Sequence, residues 1–132
     1  MKKFFFLFTF ILLPFMANAA PADVKGYWLS EKEYPLIGHK VTLIITDDTL
    51  RHREAKPKKI TMEENPDGSI IIKFDEYKKI NDSFYNKMYD KIIIIDKNKI
   101  IRETPGSAGN RVQRIYNRIT EEEALEYIRQ QF

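Results

Sequence analysis

The 132-residue chain contains no cysteine, and that absence removes two possibilities at once. An exported protein without cysteine has no disulfide framework, so a packed core must hold it together. It also lacks the thiol that carries a bacterial lipid anchor after an export signal. Histidine is nearly absent too, with only His39 and His52. They sit in or beside neighbouring strand-like segments and could meet near Asp47 or Asp48. A metal site needs three or four convergent ligands, and no tight spacing supplies them, so solvated strand-end histidines are expected. Glycine is scarce at 5 residues. No Gly-X-Ser-X-Gly frames Ser30, Ser69, Ser83 or Ser107, and nucleophilic catalysis needs such an oriented group. The Gly106-Ser107-Ala108-Gly109 loop could cradle an anion, but no Gly-Lys-Ser/Thr follows it, and a plain connection is the simpler reading.

Net charge is also lacking. The whole chain carries a formal +3, and without Lys2 and Lys3 it carries +1, with 20 Lys and Arg against 19 Asp and Glu. A near-neutral surface of mixed sign exerts no long-range pull on nucleic acid or anionic lipid. No nucleic-acid partner is therefore expected.

What is present begins with an address. Lys2 and Lys3 precede a 13-residue apolar run from Phe4 to Met16, and Ala17-Asn18-Ala19 follows with small residues. This is the pattern of a cleaved secretory signal. The run is shorter than the roughly 20 residues that span a bilayer, and Pro14 weakens it further. We expect a signal peptide over residues 1–19 and a single β-rich domain over 20–132. The mature form would then be periplasmic or secreted, with no stable membrane insertion.

The 113 residues after the signal hold 17 Ile, 5 Leu and 3 Val. Isoleucine is β-branched and favours strands, although AT-rich codon usage would raise it as well. Alternation and turn chemistry place strands at Val24–Ser30, His39–Thr46 and Leu50–Glu54. Further strands are expected at Ile60–Glu64 and Ser69–Asp75, joined by the turn Asn65-Pro66-Asp67-Gly68. Another hairpin pairs Lys91–Ile95 with Ile100–Thr104, and Arg111–Ile119 forms a last strand. Four consecutive isoleucines, Ile92 to Ile95, suggest a strand buried on both faces or one closing a barrel. Thr120-Glu121-Glu122-Glu123 is a capping box. It opens a helix over 121–131 whose apolar stripe is Ala124, Leu125, Ile128 and Phe132.

Residues 76–90 are ambiguous. Phe74, Tyr77, Ile80, Phe84 and Met88 recur at helical spacing, yet Phe84 to Tyr89 alternates as a strand would. An interrupted strand with a break at Asn81-Asp82-Ser83 is the favoured reading, and a helix is the alternative.

A Gly-X-Trp on the first strand (Gly26, Trp28), successive hairpins and a last strand ending Ile115-Tyr116-Asn117-Arg118-Ile119 resemble the small bacterial lipocalin-like domains. The resemblance implies a mainly β fold: a small antiparallel β-barrel or half-barrel with a C-terminal helix. It implies that Arg118, or failing that Arg114, stacks on Trp28 and closes the base. In that case Gly26, Trp28 and Arg118 are structural residues and not a binding site. It also implies a mouth able to hold an apolar ligand.

Carboxylate doublets such as Asp47-Asp48, Glu63-Glu64 and Asp75-Glu76 point to opposite faces of a strand. None is itself a general acid–base pair, and a small hydrolase is left as the minor enzymatic alternative. With no catalytic residues, metal ligands or cofactors expected, we read a non-enzymatic exported binding protein that is lipocalin-like and takes a small apolar ligand. The alternative is a periplasmic inhibitor or immunity-type protein that blocks a partner protein. Its candidate interface is the aromatic and lysine-rich set Tyr77, Phe84, Tyr85, Lys87 and Tyr89.

Overall fold

The computed structural model describes residues 24–53 and 55–131, so the signal read over residues 1–19 and Phe132 lie outside the described residues. Eight antiparallel strands run β1 (Gly26–Ser30), β2 (Thr42–Ile45), β3 (Thr49–His52), β4 (Lys58–Glu64), β5 (Ile70–Phe74), β6 (Asp90–Asp96), β7 (Lys99–Pro105) and β8 (Arg111–Ile119). Each pairs with the next, and β8 returns to β1, so the sheet is a closed barrel and not a half-barrel. Closure removes every sheet edge, which is how such a sheet avoids pairing with other chains.

Strand parity decides what fills the interior. Val41, Leu43 and Ile45 point inward, as do Ile60, Ile70, Ile72, Ile92 and Ile100, and each is at most 4% exposed. Burying each such side chain contributes roughly 1.5–3 kcal/mol. The isoleucine run obeys the same parity and is not buried on both faces. Ile92 is buried and Ile94 half-buried against the core, Ile93 is half-buried outside, and Ile95 is 49% exposed at a register shift before Asp96. A barrel wall has solvent on its outer side, so four apolar residues in a row cannot all find a core.

The turn at 65–68 forms as its chemistry dictates. Asp67 Oδ1 accepts from the Ser69 N–H at 2.9 Å, and Gly68 takes φ +92°, where a side chain would be strained. The capping box also closes on itself. Thr120 N–H donates to Glu123 Oε1 at 2.9 Å, and Glu123 N–H donates to Thr120 Oγ1 at 3.1 Å. It starts the helix Glu121–Gln131, which packs on β1 and β2. The docking stripe is shifted from the sequence expectation: Ala124 is buried and Tyr127, Ile128 and Gln131 are half-buried, while Leu125 is 48% exposed.

The interrupted strand expected over residues 76–90 is not there. A 3₁₀ turn, Asp75–Lys79, is followed by a short helix, α1 (Asp82–Lys87). The helical spacing wins because Tyr77 packs on both Phe74 and Phe84, with ring centroids 5.7 and 4.8 Å apart. The break does fall at Asn81, whose side chain caps α1 by accepting from Phe84 N–H at 2.7 Å. Among the described residues, no helix is long and apolar enough to cross a membrane.

Candidate functional site

The two ends of the barrel differ in kind. At the base, the Arg118 guanidinium lies 4.2 Å over the Trp28 ring, and the two residues are register partners across β8 and β1. Trp28 is wholly buried and donates its indole N–H to Val24 O at 3.0 Å. Arg118 donates to Lys25 O at 2.8 Å and to Lys97 O at 2.7 Å, tying three segments together. Gly26 sits beneath it at φ +134°, and a Cβ there would lie 2.5 Å from Arg118 Nη1. Glycine is therefore required by both space and backbone.

The mouth is built by the same parity at the other ends of the strands. Arg102 follows Ile100 inward on β7, and Arg114 precedes Tyr116 inward on β8. The register sets Arg102 directly opposite Arg114 and Ile100 opposite Tyr116. Asp90, at the start of β6, reaches Arg102 diagonally. Its Oδ2 accepts from Arg102 Nε at 2.9 Å and lies 2.8 Å from Nη2. Both partners are sheltered, with side chains 5% and 11% exposed. Tyr116, wholly buried, forms the floor.

Tyr34 comes from the β1–β2 loop and leans across this floor. The loop is pinned by Tyr34 N–H donating to His39 O at 3.0 Å and by Gly38 N–H donating to Tyr34 O at 2.8 Å. The Tyr34 hydroxyl meets the Tyr116 hydroxyl and lies 3.4 Å from His52 Nε2. The Arg114 guanidinium stacks on the Tyr34 ring at 3.9 Å. Arg114, the second candidate for the Trp28 stack, thus serves a different ring at the opposite end.

Between these groups and the loops above them lies a cavity of about 430 Å³. Leu50, Phe74, Tyr77 and Val112 give it apolar walls, and Lys56 and Lys58 add charge at the rim. Its floor is the packed core, so the cavity is confined to the mouth.

Electrostatics in the mouth are dominated by cations. His52 is held down to about 4 by burial first, then by Arg102, Arg53, Arg114 and Lys58, so it is neutral at neutral pH. Burial pushes the Tyr34 hydroxyl up from its ordinary value, with Tyr116 adding to the rise, so it stays protonated. Neutral His52 and the hydroxyls of Tyr34 and Tyr116 can each donate or accept a hydrogen bond. Among the described residues, no group of three or more His, Asp or Glu side chains is placed to hold a metal ion. His39 stands apart from His52, its Nδ1 3.1 Å from Lys40 O.

The aromatic and lysine-rich set from residues 77–89 is divided. Tyr77 lines the mouth and Phe84 backs it. Tyr85 lies beneath Lys73 and Lys78, at 5.6 and 5.0 Å from its centroid. Tyr89 is stacked by Arg111 at 4.3 Å, and Lys87 is exposed. Sequence reading missed Tyr34, Asp90, Arg102 and Tyr116 as site residues. The usable signal was parity: Arg102 shares a face with Ile100, and Arg114 shares one with Tyr116.

A scan of protein-family models, a search of curated proteins and a search of solved structures each find no match to this chain.

Proposed function

We propose that this chain is an exported, non-enzymatic binding protein of lipocalin-like build that takes a small ligand into the mouth of its barrel. One observation carries the reading: a cavity of about 430 Å³, with apolar walls and a few converging polar groups, opens at one end of an otherwise filled barrel. Ligand pockets are commonly about 300–1,000 Å³ and have this mixture of walls and polar groups. The export part rests on the n-region, apolar run and small residues of positions 1–19. The filled core argues for a compact ligand lodged near the rim. The partner-protein alternative draws less support, because Tyr77, Phe84, Tyr85 and Tyr89 spend their rings on neighbours within the chain.

The test is saturable uptake of a neutral fluorescent probe, Nile red, by the protein and by Val112→Trp. Val112 lines the mouth and is 38% exposed, so an indole ring in its place fills the cavity without entering the core. The expected result is one-to-one binding to the parent and at least a tenfold loss in the variant. Uptake that Val112→Trp leaves unchanged would put the probe elsewhere and defeat the reading.

A further inference from the structure

The geometry points to a compact organic anion as the ligand of the mouth: one carboxylate on a short aliphatic or aromatic body, its charge received by Arg114. This rests on the mouth being a binding site and adds the class of ligand.

The argument starts from a charge imbalance written into the register. Arg102 and Arg114 are direct cross-strand partners on the inward face, and like charges directly opposite each other are unfavourable in a sheet. One carboxylate, Asp90, lines the mouth beside two guanidinium groups, and its Oδ2 is spent on Arg102. Lys58 is drawn to Glu76 at 3.0 Å. Arg114 is left with the face of Tyr34 as its neighbour. Among the described residues, no hydrogen bond or ion pair engages its guanidinium N–H groups. Stacking fixes the plane of the fork without consuming its donors. A half-buried, oriented guanidinium with open donors is the geometry that receives a carboxylate in a bidentate manner.

The surroundings agree with that assignment. Lys56 adds a second positive charge at the rim, and the Tyr34 and Tyr116 hydroxyls sit beside the guanidinium pair. His52 faces the same space uncharged, so it accepts or donates without repelling an anion. Leu50, Phe74, Tyr77 and Val112 receive an apolar body of limited size. Because the barrel beneath is packed, a long chain has no channel to follow.

The experiment compares acids with amides of the same shape that carry no charge: 2-naphthoate against 2-naphthamide, and octanoate against octanamide, titrated by calorimetry at neutral pH. For at least one body the acid is expected to bind ten times tighter than its amide or better. Arg114→Gln should erase that ratio by weakening the acid more than the amide, with a melting temperature close to the parent's reporting an intact fold. Arg118→Gln, at the far end of the barrel, should keep the ratio. Equal binding of acid and amide for both bodies, or a preference that survives Arg114→Gln, overturns the inference. The mouth reading then stands or falls separately on Nile red and Val112→Trp. If neither acid binds, the anion assignment is lost whatever Nile red does.

Discussion

Strand β8 uses the same device twice, four residues apart, with opposite consequences. Arg118 lies over Trp28 and Arg114 lies over Tyr34, at 4.2 and 3.9 Å. At the base, the guanidinium donors are consumed by the carbonyls of Lys25 and Lys97. At the mouth, among the described residues, no acceptor takes up those of Arg114, and a cavity lies beside them. An arginine on an aromatic ring is thus not a functional signal in itself. What its N–H groups are left to do decides whether it closes a fold or waits for a ligand.

The largest effect should come from removing the aromatic half of the base. Trp28→Ala deletes a wholly buried ring and should cost about 3–5 kcal/mol, read as a shift of the urea midpoint. A loss below about 1 kcal/mol would mean that the base does not hold the barrel closed.

Next in size is the ion pair that separates a spent arginine from an available one. Asp90→Asn leaves the sheltered Arg102 without its carboxylate and should cost roughly 2–4 kcal/mol. It should also strengthen binding of 2-naphthoate, since a second guanidinium then faces the cavity. Weaker naphthoate binding in a folded Asp90→Asn protein would show that Asp90 supports the site in some other way.

A smaller effect is set by pH. His52 is held down to about 4 in the folded protein, against about 6.5 unfolded. Between those values the unfolded chain binds more protons, so stability falls as pH drops. The contribution is complete above about pH 6.5 and is lost as pH approaches 4. It should be of order 1–2 kcal/mol, allowing for screening at an open mouth. Thermal melts from pH 7 to 5 should slope less for His52→Gln than for the parent. Parallel slopes would show that His52 is not held neutral by folding.

Much of this is legible in the sequence alone. The hairpins, the Asp67-Gly68 turn, the capping box and the helix Glu121–Gln131 follow from local chemistry, which the barrel did not have to override. Closure was less legible, since a half-barrel and a full one share the same hairpins and differ only in whether β8 finds β1. Residues 76–90 misled because Phe84 to Tyr89 alternates by accident, while Phe74, Tyr77 and Phe84 need helical spacing to meet. The mouth was hardest to read. Arg102, Arg114 and Asp90 look like ordinary surface charges until Ile100 and Tyr116 fix which face is inside. Tyr34 arrives from a loop whose path no periodicity describes.

The decisive measurement sets the two arginines side by side: melting temperature and 2-naphthoate affinity for Arg114→Gln and Arg118→Gln. Arg114→Gln should lose affinity at least tenfold, with stability changed by less than about 1 kcal/mol, the worth of an open cation–π contact. Arg118→Gln should lose roughly 2 kcal/mol, from two charge-assisted bonds and a buried stack, and keep its affinity. If Arg114→Gln binds naphthoate as the parent does, or if both variants lose stability and affinity together, the contrast between a spent and an available arginine is wrong.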